Sequence, residues 1–500
     1  MTKEAAGTME SRGIFQRRDF LLSLVPVVLH LAFVLRMLLR YTISITSDPR
    51  RNYWEYFWQL LPSELLQAER FTSLWNLHSQ PPLYNLLGAV LMRFGPEGFV
   101  LESIHVLNVV MGAALCGLLY FPAQILLRRR WLSVLLCGAV ALHPSLLLYE
   151  AYILYDVITV FLVVATLACV AFFQWKERLG WLAAFLAGMN LLVLTRTIFH
   201  PAVLVPALFL SCIWAGAQWR RALLLGLLIS MPVLGWCAKN YVKFGFWGTT
   251  SWTGMNLWRV AAHDYSSEER EELVQAGLMD PMVAVRDDFP WPRELAGYGF
   301  NATSAVSALN RDDFNNINIP AVARVYQANA VRLILYSPRR YIRTVGKGAI
   351  LFCRPSFEFE HLMFNVREIP RYLGLWRALY GRQPRWLVGL KKPEYGFTWM
   401  VLHLVALALF AARILQARFV QREPLAIIIR RRPTEFALAF LCLWVFFVGC
   451  AFEVGENDRF KFVIEFPGYL FVAAMLTWAF QALSGRVTAI CRGSATAPRL

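Results

Sequence analysis

The chain has 500 residues, 57% of them hydrophobic and only 17% charged, with a formal net charge of +17. A soluble protein carries about a quarter charged residues, so the composition excludes an ordinary soluble domain. The basic residues flank apolar stretches, where they follow the positive-inside rule. They therefore speak for a membrane and against a nucleic-acid partner.

Runs long enough to cross hydrocarbon, which takes about 20 residues, recur along the chain. The basic clusters Arg17-Arg18, Arg128-Arg129-Arg130, Lys176 with Arg178, Arg220-Arg221 and Arg430-Arg431-Arg432 punctuate them. With every cluster on the cytoplasmic side, the spans alternate consistently. Span 1 is expected at about 20–40, followed by a first outer loop to about 98. Spans 2 to 7 follow at about 99–127, 131–148, 156–174, 180–196, 201–218 and 222–238. A second outer loop runs to about 396, before spans 8 to 10 at about 397–416, 434–452 and 466–484. The expected fold is all-α and polytopic, with about ten transmembrane helices and two large outer loops carrying interfacial amphipathic helices. The expected segments are a cytoplasmic N-terminus (1–19), a membrane module (20–238, with the outer loop 41–98), an outer region (239–396), C-terminal spans (397–484) and a cytoplasmic tail (485–500). Gln16-Arg-Arg-Asp-Phe-Leu-Leu22 faintly resembles a twin-arginine signal. No small-residue cleavage site follows it, so an uncleaved anchor is expected.

The first loop is rich in Trp. Trp54, Phe57, Trp58 and Leu61 have i, i+3, i+4, i+7 spacing, which predicts an amphipathic helix on the membrane surface with Asp48 and Glu55 toward water. His78-Ser-Gln-Pro-Pro-Leu-Tyr-Asn85 follows. Its two prolines fix φ and remove two donors, so the chain there is stiff and extended. Leu83–Phe94 has helical apolar spacing but is short for a span, and is expected as an interfacial helix. The second loop holds an acidic helical stretch (Ser266–Gln275), a Pro/Asp-rich part (Asp280–Arg293) and an amphipathic tail (Ala321–Ile350). Asn301-Ala-Thr303 is a glycosylation sequon, informative only in a eukaryotic secretory setting. Most of the nine cysteines lie in apolar segments and no CxxC pair occurs, so they are expected as buried hydrophobes.

This topology collects polar residues on the outer side: Asp48, His78 and Tyr84 in the first loop, Glu150 and Asp156 between spans 3 and 4, and Arg196 ending span 5. Lys239 and Asn240 end span 7, and Glu453, Glu456, Asp458, Arg459 and Lys461 fill the turn between spans 9 and 10. A carboxylate beside several cations at a membrane surface suits attack of a hydroxyl on a sugar linked to a polyprenyl phosphate. The base is a carboxylate near the acceptor oxygen. The leaving lipid phosphate is a stable anion that needs cations rather than a general acid. Each residue also has a plainer role open to it. Asp48 would serve as a helix cap, Arg196 as a snorkelling cation and Lys239 as an interface anchor. Arg459 would pair within its own turn, and His78 would bond the backbone of its loop. Glu150 and Asp156 are harder to dismiss, because carboxylates at span edges are costly. In a helical turn they point about 120° apart, so one faces a site, and Asp156 is preferred.

Six pieces carry a wider likeness: Ser47-Asp48-Pro49 after span 1, His78 to Tyr84, and the stretch from His143-Pro144 to Tyr155-Asp156. The others are Thr195-Arg196-Thr197, Pro232 to Tyr241 with Phe244-Gly245 and the small-residue stretch Thr249 to Asn256, and Glu456 to Pro467. In this order, and on one side of the membrane, they resemble the GT-C superfamily of integral membrane glycosyltransferases. The closer likeness is to the bacterial branch with protein O-mannosyltransferases and lipid A aminoarabinose transferases. The resemblance reaches from span 1 to span 10. It implies that Asp48 activates the acceptor, aided by a divalent cation such as Mg or Mn, and that Asp156 lines the same site. It implies that Arg196, Lys239 and Arg459 hold the lipid phosphate or the sugar, with His78, Tyr84, Glu150 and Asn240 beside them. Lys239 stands where the family more often has Arg, and Arg50-Arg51 adds positive charge.

The expected function is therefore transfer of a sugar, with inversion, from a polyprenyl-phosphate donor to a hydroxyl of a lipid-linked glycan, polysaccharide or protein. It would take place on the outer face of a bacterial-type inner membrane. The rival is a transporter or flippase for a lipid-linked or anionic substrate, which calls for polar or broken helices at the midplane. A non-catalytic scaffold is a third reading.

Overall fold

The computed structural model describes residues 15–45, 54, 57, 59–68, 70–284, 298–300, 318–384 and 395–494. Among them the secondary structure is helical apart from one isolated bridge between Arg382 and Tyr395. Among the described residues seven helices are long and apolar enough to cross a membrane, or eight if one bent pair is counted as a span. The protein is thus an all-α, multi-pass membrane protein. Asp48, Glu55, Trp58 and Asn301 to Thr303 lie outside the described residues.

Helix α1 (Arg17–Arg40) opens with a capping box, in which the Gln16 N–H donates to Asp19. Two short helices, α2 (Ser63–Ala68) and α3 (Arg70–Asn76), precede α4 (Pro82–Leu91), which starts on the Pro81-Pro82 pair. Proline at a first helical position costs nothing, because that N–H has no partner in the helix. Helix α4 buries its small and polar face, Tyr84, Asn85, Gly88 and Ala89, and exposes Leu86 and Val90, with Phe94 exposed just beyond it. This is the orientation of a helix whose apolar side meets lipid. The stretch at Trp54, Phe57 and Leu61 departs from expectation. Trp54 lies in a 3-10 turn, Phe57, Gln59 and Leu60 lie in bends and turns, and Trp54, Phe57 and Leu61 are buried rather than on the membrane surface. The Trp54 indole donates to the Leu61 carbonyl at 2.8 Å and its ring stacks on Tyr84, while Phe57 packs edge-on to Tyr152. These long-range ring contacts turn the apolar residues into the protein. Gly88 belongs to this packing, since a Cβ there would meet the Trp54 ring at 2.5 Å.

Helix α5 (Glu97–Leu127) is followed by α6 (Arg130–Ala141) and α7 (Pro144–Glu150), which are bent 47° from each other. The expected third span is broken here because Pro144 has no N–H and keeps His143 extended. Helices α8 (Asp156–Lys176) and α9 (Leu179–Thr195) come next. Helix α10 (Leu204–Ala215) is separated from α11 (Trp219–Phe244) by a tight turn at Gly216, whose φ is +56°. The segment expected as the second outer loop supplies α12 (Thr253–Ala262) and α13 (Ser267–Gln275), the latter with the capping box of Ser266 and Glu269. The expected amphipathic tail is two helices, α14 (Ile319–Tyr336) and α15 (Pro338–Phe352), divided at Ser337-Pro338. Helix α16 (Pro370–Tyr380) leads to α17 (Phe397–Leu415), α18 (Pro433–Ala451) and α19 (Asn457–Ser494).

Contacts tie the basic ends together. Arg130 binds Asp19, Phe15 packs on Trp175, Gln174 accepts from Thr434, and Arg413 pairs with Glu435. The opposite ends meet through Asp156 with Arg196 and Arg459, Arg259 with Glu453, and the Tyr341 hydroxyl donating to the Ala451 carbonyl.

Candidate functional site

Asp156 begins α8, Arg196 directly follows α9 and Arg459 lies in the first turn of α19. All three are buried. The Asp156 carboxylate accepts from Arg196 Nη1 at 2.5 Å, and from Arg459 Nε at 3.2 and 3.3 Å and Nη2 at 3.1 Å. Arg459 Nη1 donates to Glu456 at 3.0 Å, so all three of its nitrogens are used. Arg196 differs. Its Nε and Nη2 are buried without a hydrogen-bond partner among the described residues. A buried donor left unpaired costs about 1–3 kcal/mol.

Aromatic rings wall this network. The Arg459 guanidinium lies 5.7, 5.6 and 5.6 Å from the Tyr152, Tyr155 and Phe359 rings, and that of Arg196 lies 5.4 and 5.0 Å from Tyr155 and Phe460. Such faces attract cations. Burial pushes the phenols of Tyr152 and Tyr155 up, so both present neutral rings. Burial also pushes the Glu456 carboxyl up, but the Arg459 and Arg259 cations outweigh it and hold Glu456 below the usual range, as an anion. Tyr84 is the next ring out, edge-on to Tyr155 at 5.7 Å, and its buried hydroxyl has no partner among the described residues.

A cavity of about 300 Å³ adjoins the network. It is lined by Thr197 and Phe460, the residues next to the two arginines, and by Thr250, Thr253, Asn256 and Glu453. The Phe460 ring touches both this cavity and Arg196. Hydroxyl, amide and carboxylate groups beside aromatic faces suit a hydroxyl-rich ring.

The remaining sequence candidates fall into two other places. His78 and Lys239 hold the stiff loop to the end of α11. Lys239 Nζ donates to the Leu77 carbonyl at 2.7 Å and lies 3.7 Å from the Trp236 ring. His78 Nδ1 is 3.0 Å from Ser251 Oγ, and Asn240 donates to the Gly248 carbonyl at 2.7 Å. Glu150 bonds His30 Nε2 at 2.7 Å and is not part of the arginine network. Asp48 lies outside the described residues. Among the described residues no group of three His, Cys, Asp or Glu side chains could hold a metal ion. Asp156 has both oxygens on guanidiniums and is not free to ligate a metal, and Asp48, beside which the resemblance puts the divalent cation, is not among the described residues.

Sequence reasoning missed the partners that come from far away. The charged turn Glu456 to Lys461 was open to internal pairing, yet Arg459 reaches Asp156, 303 residues off. Lys461 turns away to pair with the buried Glu465 at 2.8 Å. A lone His30 inside an apolar span and a Glu465 inside another were the available signals. Compared with family models, with curated proteins and with solved structures, the chain has no match.

Proposed function

We propose that the protein is a membrane glycosyltransferase using a polyprenyl-phosphate sugar. In this reading it has ten crossings, and its site lies on the outer face of a bacterial-type inner membrane. The reading rests on one observation: Arg196 is buried with two guanidinium donors unpaired among the described residues. Asp156 takes the third nitrogen and fixes the fork in place. A phosphate oxygen pair fits a planar fork bidentately. The adjoining cavity, with Thr250, Thr253, Asn256 and Glu453, offers room for a sugar ring.

Chemically, an acceptor hydroxyl attacks the anomeric carbon and gives its proton to a carboxylate, the role the resemblance assigns to Asp48. The bond from the anomeric carbon to the phosphate oxygen breaks, and its electron pair leaves on the polyprenyl phosphate, inverting the centre. Arg196 stabilises that growing charge. Asp156, with both oxygens engaged, positions cations and is not the base. A lipid, glycan or protein hydroxyl fits the acceptor role.

The leaving group is common to every such donor, so the first test needs no knowledge of the sugar. A long-chain polyprenyl monophosphate should stabilise the purified protein by about 2.7 kcal/mol at 100 times Kd. Arg196→Gln should lose that stabilisation, and with it transfer from radiolabelled polyprenyl-phosphate sugars. Asp48→Asn should lose transfer while keeping the lipid effect. Undiminished transfer in both variants would sink the reading.

A transporter is the second reading, favoured by the buried His30–Glu150 pair inside the spans. Uptake of a lipid-linked or anionic solute into proteoliposomes, without any transfer, would select it.

A further inference from the structure

At the basic end, far from the arginine network, α1, α5 and α6 enclose a groove of about 880 Å³. Arg18, Arg128 and Arg130 line it together with Gln124 and the apolar Leu22, Trp131, Val134 and Leu135. Arg130 is already committed. Its Nε and Nη2 donate to Asp19 at 2.8 and 3.1 Å, and Nη2 also reaches Gln16 at 2.9 Å. Asp19 is satisfied in turn, since the Tyr120 hydroxyl donates to it at 2.8 Å. Asp19 is therefore neutralised internally. Arg18 and Arg128 are exposed and have no ion pair among the described residues. Arg128 also occupies a fixed place. Its backbone is left-handed, with φ +56°, in the two-residue turn joining α5 to α6. Glu435, which Arg128 approaches, is paired with Arg413 and also faces Arg432, so cations outnumber acids on this side as well.

We propose that this groove binds an anionic phospholipid, its phosphate on Arg18 and Arg128 and its glycerol and acyl portion along Leu22, Trp131, Val134 and Leu135. Two free guanidiniums attract a phosphate anion by charge-assisted hydrogen bonds. The apolar wall selects an amphiphile over a free phosphate. Trp131 and Leu135 are 60% and 63% exposed, a surface that acyl chains cover at no cost and water does not. A zwitterionic lipid is disfavoured, because its own ammonium would compete with the arginines for the phosphate.

The test uses the full chain, purified in detergent and stripped of lipid. Native mass spectrometry and thermal unfolding compare dioleoylphosphatidylglycerol, dioleoylphosphatidylcholine and glycerol 3-phosphate. The glycerol lipid should be retained and should raise Tm, and the other two should do neither. Near a membrane each basic residue is worth about 1 kcal/mol, so Arg18→Gln with Arg128→Gln should weaken binding about 30-fold. Arg18→Lys with Arg128→Lys should keep most of it. Equal retention of the two lipids, an equal effect of glycerol 3-phosphate, or full retention by the glutamine pair would each overturn the proposal. Should the glutamine pair fail to fold, the wild-type lipid comparison and the lysine pair decide.

Discussion

Replacing Asp156 by Asn keeps its volume and removes its charge. Two buried guanidiniums then share a side chain with one acceptor oxygen and an NH2 that meets donors with donors. Glu456 compensates only Arg459 Nη1. Removing one partner of a buried ion pair costs about 3–5 kcal/mol. Unfolding entropy runs at about 2.1 cal/mol/K per residue, or roughly 1 kcal/mol/K for a chain of this length. Tm should therefore fall by about 3–5 °C, read by tryptophan fluorescence in detergent. Combining Asp156→Asn with Arg196→Gln removes the stranded cation as well and should recover part of the loss, a coupling that a double-mutant cycle measures. An Asp156→Asn protein that melts with wild type, or a double variant whose losses simply add, would refute the view of Asp156 as the anchor of both arginines.

Two further outcomes follow from the same accounting. His30 Nδ1 donates to the Ala141 carbonyl, so Nε2 and Glu150 Oε1, 2.7 Å apart, share one proton. Glu150→Gln can donate its amide to that nitrogen and should cost under about 1 kcal/mol, whereas His30→Ala strands a buried carboxyl and should cost about 3 kcal/mol or more; thermal melts that rank them equally would mean a charged pair. At the surface of the outer region, burial pushes the Asp264 carboxyl up, but hydrogen bonds from Lys347 and His263 outweigh it and hold it below its ordinary value of 3.8, with Arg340 also nearby. A carboxyl depressed in the fold stabilises above its ordinary pKa and loses that contribution as pH falls through the lowered value. Melting curves should thus show this contribution intact from pH 7 down to about pH 5 and lost only below the ordinary carboxylate range, and Asp264→Asn should lack that acid-side step.

The legible part of the fold was the part governed by local chemistry. Apolar runs located α1, α5, α8, α17 and α18, and basic clusters matched the ends that the contacts bring together. The cap at Ser266 and Glu269 located α13. The illegible part was decided by distant partners. Trp54, Phe57 and Leu61 have helical spacing, yet Trp54 stacks on Tyr84 and Phe57 packs on Tyr152, which buries them inside the protein. His143-Pro144 carried a visible break signal inside span 3, which the hydrophobic run concealed. At the site, Asp156 and Arg196 were legible as costly charges at span ends. Lys239 was equally suggestive, but it bonds the Leu77 carbonyl. Spacing says that a charge is expensive; it does not say which partner neutralises it.

That distinction separates structural charge from functional charge in this protein. Buried charges must be paired wherever they serve only the fold, because an unpaired one costs several kcal/mol. Arg459 meets that requirement in full, with every nitrogen on Asp156 or Glu456. Lys461 meets it with Glu465, and Arg130 with Asp19 and Gln16. Arg196 alone of these four leaves two donors unspent in a buried setting. A fold could satisfy Asp156 through Arg459 and do without that excess. Among the described residues the two unspent donors form a planar fork of the shape that an oxyanion fits bidentately.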